Sequence, residues 1–147
     1  MSLSPERLDR FARHIVLPEI GGAGQIALAK KHLVLVGLGG IGSPALQYLA
    51  GAGIGKLTLV DDDRVDASNL QRQTLFNERD IGHGKAVIAK RWVTGFDPEL
   101  DVQISDRRIT VANAPDLVIG ADLVLAGTDN FATRLAGLGE ESAAVLG

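Results

Sequence analysis

The stretch that constrains this chain most runs from Leu33 to Ala52. Four apolar residues without alternation, Leu33-Val34-Leu35-Val36, meet Gly37-Leu38-Gly39-Gly40-Ile41-Gly42, and a helical stretch from Ser43 to Ala52 follows, with Pro44 near its start and Gly53 and Gly55 beyond its end. An unbroken apolar run reads as a strand buried on both faces, as in a parallel sheet with helices on either side. In a G-x-G-x-x-G turn the first glycine allows the tight bend. The second lets a phosphate approach the backbone, and the third permits close packing of the helix, whose N-terminus offers unpaired N–H groups to an anion. Taken alone, the string also fits a purely structural turn, so its surroundings must decide.

The same alternation continues along the chain. Lys56–Val60 reads as a second strand ending in Asp61-Asp62-Asp63, and a long irregular stretch runs from Arg64 to Gly84. A helix is expected over Lys85–Val93, stopped by Gly95 and Pro98. A more polar strand follows over Asp101–Ser105, then a short helix over Asn113–Ile119. Leu123–Ala126 is a fourth buried strand, ending at Gly127-Thr128-Asp129-Asn130. Upstream, Ser4 as N-cap and Pro5 at the first helical position open a helical segment to Leu17, in which Leu8, Phe11, Ala12 and Ile15 recur at helical spacing. Gly21, Gly22 and Gly24 are expected to break the chain before a short helix, Gln25–Lys31. Alternating strands and helices imply right-handed crossovers and an α/β, Rossmann-like parallel sheet with flanking helices. Ligands of such sheets bind beyond the carboxyl ends of the strands. Three polar clusters fall there: the glycine turn, Asp61–Asp63 and Thr128–Asn130.

Composition removes several alternatives. The 147 residues contain no cysteine, which excludes disulfides, thiolate zinc sites and thioester chemistry on this chain. A formal charge of −3 disfavours a globally basic nucleic-acid binder. No apolar run approaches the length of a membrane span and no signal-peptide pattern opens the chain, so a cytoplasmic protein is expected.

Asp61 lies 19 residues after Gly42, where an acid can accept hydrogen bonds from ribose hydroxyls. A turn residue at a strand end reads the same way, and Asp63 could share the ribose or simply be solvated. To this point NAD and ATP fit equally. The loop separates them: Arg64, Arg72, Arg79, Lys85, Lys90 and Arg91 outnumber Asp66, Glu78 and Asp80 in a chain of net negative charge. A triphosphate with its metal, reacting at phosphorus, calls for fixed cations of this kind. For Arg79, Lys90 and Arg91 a solvated face is the preferred reading. Trp92 is expected in the core, and His14 and His83 as structural or solvated groups.

In order along the chain stand Arg10-Phe11-Ala12-Arg13-His14-Ile15, the glycine turn, Asp61-Asp62-Asp63, Ser68-Asn69-Leu70-Gln71-Arg72-Gln73, Gly82-His83-Gly84-Lys85 and Thr128-Asp129-Asn130. From about Leu8 to Arg134 this resembles the ThiF/MoeB/HesA family, bacterial relatives of the ubiquitin-activating enzymes. The resemblance implies ATP-dependent adenylation of the C-terminal glycine of a ubiquitin-like sulfur carrier, ThiS- or MoaD-like, in thiamine or molybdenum cofactor biosynthesis. It places Gly39, Gly40 and Gly42 against the nucleotide and Asp61 on the ribose. Asn69 and Arg72 would meet the phosphates, Lys85 the charge around the α-phosphate, and Asp129 a Mg²⁺ ion, with Asn130 as a helix cap. Gln73 would orient phosphate or bond the loop. Arg13 would reach the triphosphate of the partner in a homodimer.

The chain also departs from the family. Members are longer and continue after Thr-Asp-Asn with further strands, often a zinc site of paired Cys-x-x-Cys motifs, and a helical carboxyl part. The expected layout is therefore an ATP-binding domain over 1–134, with a helical segment at 4–31 and a Rossmann-like part at 32–134, and an atypical tail over 135–147. Glu140–Leu146 could form a helical turn. A half-length sheet is expected to cover its exposed edge and face by dimerisation or domain exchange, or else to be marginally stable. A catalytically silent nucleotide-binding or interaction module is the competing function, and an NAD-dependent oxidoreductase domain a more distant one.

Overall fold

The computed structural model describes residues 2–127 and 144–146. The chain opens with α1 (Pro5–Arg10), α2 (Ala12–Ile15) and α3 (Gly21–Ala29), then alternates: β1 (His32–Val36), α4 (Gly42–Ala52), β2 (Lys56–Val60), α5 (Lys85–Phe96), β3 (Asp101–Ser105), α6 (Ala114–Val118), β4 (Leu123–Ala126) and β5 (Ala144–Leu146). Two single 3₁₀ turns, Ala67–Asn69 and Glu78–Asp80, punctuate the loop between β2 and α5.

The sheet order is β3-β2-β1-β4-β5, and every pairing is parallel. Leu33 lies opposite Leu57 on one side and Leu123 on the other, which places β1 at the centre. Its alternate residues serve opposite faces. Leu33 and Leu35 join Leu57, Leu59, Leu46, Ala50, Ala89 and Val93 under α4 and α5. Val34 and Val36 join Val60 and Val124 in a second cluster that takes in Leu117 and Val118 of α6. Both faces of β1 are thus apolar, which is why its sequence shows no alternation.

Four expectations are corrected. The sheet has five strands rather than four, because Ala144–Leu146 pairs with β4; the same residues form a strand, not a helical turn. Helix α3 begins at Gly21 rather than Gln25. Gly22 and Gly24 lie inside it because Gln25, fully buried, bonds the Ala52 carbonyl at 2.9 Å and His14 at 3.1 Å, and such tertiary contacts outweigh glycine's low helix propensity. Gly95 does not stop α5, which continues to Phe96 as Trp92 and Phe96 stack with ring centres 5.1 Å apart. The expected helix from Ser4 to Leu17 is interrupted at Phe11, whose buried ring packs on the end of α4. The Ser4 cap with Pro5 behind it is present.

Candidate functional site

The carboxyl ends of β1, β2 and β4 meet at the glycine turn. Gly37 has φ +91°, a conformation open to glycine, and its N–H donates to the Val60 carbonyl at 2.8 Å. A Cβ on Gly42 would lie 1.7 Å from the Gly37 carbonyl oxygen, so this third glycine lets the helix close onto the turn. Gly127 packs on the other side, with its N–H on the Val36 carbonyl at 2.7 Å, so the chain leaves β4 directly beside the turn. Ser43 bonds the Gly39 carbonyl through both its N–H and its hydroxyl, at 3.0 and 2.6 Å, and fixes the first turn of α4. That serine carried no functional expectation from sequence, and its signal is only its place after the last glycine.

Asp61 is bound to this frame. Its carboxylate accepts from the Leu38 N–H and from the Asp63 N–H, each at 2.7 Å. Burial pushes its pKa up from the usual aspartate range, opposed by these two bonds and by the charge of Lys85. Lys85 opens α5, and only 5% of its surface is exposed. Its backbone N–H reaches the Asp63 carbonyl at 3.0 Å, and its ammonium lies 3.9 Å from the Asp63 carboxylate, beyond hydrogen-bond distance. Asp61, Asp63 and Lys85 are thus one cluster at the end of β2. The carboxylates of Asp61, Asp62 and Asp63 lie within 4.8 Å of one another.

The loop after β2 brings a second set of groups to the turn. Asp66 caps the first 3₁₀ turn. Its carboxylate accepts from the Ser68 hydroxyl and N–H, which hold its pKa below the usual aspartate range, while the Asn69 side-chain oxygen accepts from the Asp66 N–H. The cap leaves the NH₂ end of Asn69 for any ligand. The Arg72 side chain runs past Gly40, with its stem 3.9 Å from where a Cβ there would stand, and its guanidinium donates to the Ser68 carbonyl at 3.2 Å. Gln73 is buried beside Gly39, and its Oε1 has no hydrogen-bond partner among the described residues. A buried amide oxygen without a partner is costly and marks a group awaiting one.

The remaining loop cations do other work. Arg64 donates to the Gly82 carbonyl at 2.8 Å and closes the loop on itself. Arg91 lies on an exposed face, as its preferred reading has it, and from there donates at 2.6 Å to Asp80, which is buried and also accepts from the Asn77 N–H. His14 pairs with Gln25, and His83 lies against the Asp80 carbonyl. Trp92 is only partly buried, at the margin of the core.

Arg13 is exposed on α2, far from its own glycine turn. Phe11, two residues before it, packs on Gly53, which caps the C-terminus of α4, and His14 reaches the same end through Gln25. The glycine turn is at the other end of that 11-residue helix, about 16 Å away at 1.5 Å per residue. Thr128, Asp129 and Asn130, and with them the expected metal ligand, lie outside the described residues. No helix among the described residues is long and apolar enough to cross a membrane.

Known proteins share this arrangement. The chain is 44% identical over 134 residues to the SAMP-activating enzyme E1 of Haloferax volcanii, covering 91% of this chain and 50% of that protein. It is 44% identical over 125 residues to the sulfur carrier protein ThiS adenylyltransferase of Escherichia coli, covering 85% and 50%. Among solved structures, E. coli tRNA N6-threonylcarbamoyladenosine dehydratase, TcdA, in complex with ATP superposes with a TM-score of 0.81 at 30% identity, over 88% of this chain and 53% of that one. The chain therefore spans about half the length of these relatives. The ThiF family profile matches residues 11–136. By that match and by the residues gathered around its glycine turn, this chain belongs to the ThiF family.

Proposed function

We propose that this chain binds ATP and supplies the nucleotide site for adenylating the C-terminal glycine of a ubiquitin-like sulfur carrier, of the ThiS or MoaD kind. The observation that carries the reading is Lys85: a buried ammonium set beside Asp61 at the end of β2, whose ion pair among the described residues is the long one, 3.9 Å, to the exposed carboxylate of Asp63. Burying a cation so loosely paired is unfavourable, and a polyanion is the ligand that removes the penalty. A dinucleotide pyrophosphate would be served by the glycine turn alone.

In this reading the phosphates lie on Gly39, Gly40 and Gly42 at the head of α4, and Asp61, with Asp63 beside it, takes the ribose hydroxyls. The NH₂ of Asn69, the Arg72 guanidinium and the Gln73 amide converge on the phosphates, and Lys85 faces the α-phosphate. The carrier's carboxylate attacks the α-phosphorus, the bond to the β-phosphate oxygen breaks, and pyrophosphate leaves an acyl-adenylate. The residues hold and position charge, with little proton transfer to perform. Asp129 would hold Mg²⁺, which would offset the charge of the phosphates. Arg13 cannot reach its own site across the length of α4, which supports its service to a second copy in a homodimer.

ATP–pyrophosphate exchange that depends on an added ThiS- or MoaD-like carrier is the test. Exchange with carrier and none without it is expected. Tight ATP binding by calorimetry with no exchange would assign a silent nucleotide module instead, and preference for NAD over Mg-ATP would overturn the reading altogether.

A further inference from the structure

One buried hydroxyl at the head of α4 does more than the helix asks of it. Ser43 is 1% exposed, and its hydroxyl donates to the Gly39 carbonyl at 2.6 Å. That carbonyl already accepts the Ser43 N–H at 3.0 Å, the ordinary helical bond. A serine hydroxyl that bonds back to the same carbonyl slightly weakens a helix, and alanine is the better helix former. The second bond is therefore superfluous for α4. What it fixes is the peptide unit just before the helix.

The amide that joins Gly39 to Gly40 is planar and trans, so its C=O and N–H point in opposite directions. With the carbonyl turned back onto Ser43, the Gly40 N–H points out of the helix head. It donates to no acceptor among the described residues, and Gly40 is exposed. Neither glycine carries a Cβ to resist rotation of that plane. Turned over, the same amide would present its carbonyl oxygen to an incoming anion and repel it. Turning it over would also break both Ser43 bonds and leave a buried hydroxyl unpaired, which is costly. Donation into the carbonyl further polarises the amide and makes its N–H the stronger donor.

We propose that Ser43 is a positioning residue for the nucleotide: its hydroxyl locks the Gly39–Gly40 amide with the N–H toward the phosphates. This role rests on the ATP reading of the site. It adds a side chain that touches no ligand but sets the polarity of the turn that does.

Calorimetry of the full chain with Mg-ATP reads the effect, and the amide resonance of Gly40 reads its cause. Ser43→Ala removes the hydroxyl, and Ser43→Cys keeps nearly the same volume with a much weaker donor. Both are expected to bind Mg-ATP about tenfold more weakly than the wild type, with unchanged far-ultraviolet circular dichroism. The Gly40 amide proton should move downfield when the wild type is loaded with ATP, and move less in both variants. Wild-type affinity in either variant overturns the role. So does weakened binding with a Gly40 displacement of wild-type size, which would make the hydroxyl a support of the frame alone. Loss of fold in both variants has the same consequence. A wild-type chain that binds no ATP sinks the proposed function and this role with it, whereas wild-type binding with indifferent variants sinks this role alone.

Discussion

The two ends of the sheet treat buried polar groups in opposite ways. Below the amino ends of the strands they are paired. Arg7 binds buried Asp97 at 2.8 Å and Glu99 at 3.2 Å, and its guanidinium also lies over the Phe11 ring. Gln25 satisfies His14 and the Ala52 carbonyl, and His32 meets Thr58 at 2.8 Å. At the carboxyl ends Lys85 is buried with its acid 3.9 Å away, and the Gln73 oxygen has no partner among the described residues. One end is built for stability. In the proposed reading the other holds groups ready for a ligand, at some expense to the fold.

Matched deletions of the two buried cations should break that comparison most visibly. Arg7→Met leaves Asp97 buried without its cation and should lower stability by about 3–5 kcal/mol in a denaturant titration. Lys85→Met removes a cation whose only ion pair among the described residues is long and reaches an exposed acid. Its stability should stay within about 1 kcal/mol of wild type, while carrier-dependent exchange falls roughly 10²–10³-fold. If Lys85→Met unfolds the chain as Arg7→Met does, the division between the two ends is wrong.

A smaller effect of opposite sign sharpens the same contrast. Gln73→Met conserves volume and removes the orphan amide. If the oxygen is a group kept for a ligand, the variant should gain about 1 kcal/mol of stability, visible as a raised Tm, and bind ATP more weakly. A stability loss with unchanged ATP affinity would make Gln73 an ordinary loop support.

Much of the frame was legible because its signals are local. β2, β3 and β4 lie where the apolar runs and turn residues put them, and the glycine turn stands between strand and helix as its spacing requires. Errors arose where a distant contact overrode a local preference. Gly22 and Gly24 are poor helix residues, yet Gln25 anchors α3 to the end of α4. Gly95 is carried within α5 because buried Asp97, just after it, is held by Arg7 ninety residues away. Of the candidate site, Asp61, Lys85 and the glycines could be placed from motif and spacing. The charge count of the loop did not set Arg64 apart from Arg72: the fold places one on the Gly82 carbonyl and the other beside Gly40. Nothing in the sequence places Arg13 at the far end of α4, because that depends on how Phe11 and His14 dock.

The finest test of the two ends is their titration. Asp61, at the carboxyl end, has its pKa raised above 3.8, chiefly by burial. Its contribution to stability is full below pH 3.8 and is lost as pH rises through the folded value, since the folded state disfavours the charge. Asp122, at the amino end, has its pKa lowered by the His32 N–H and by Lys31. It contributes stability above pH 3.8 that is lost as pH falls through its own folded value. The two carboxyl groups should therefore titrate on opposite sides of 3.8 when followed by carbon NMR. Ribose hydroxyls donate to a carboxylate, so ATP affinity should weaken as pH falls through the Asp61 midpoint, while Asp122 is still ionised and the amino end intact. Nucleotide release should thus precede acid unfolding. Loss of ATP only together with loss of structure would mean that Asp61 is a member of the frame and not of the site.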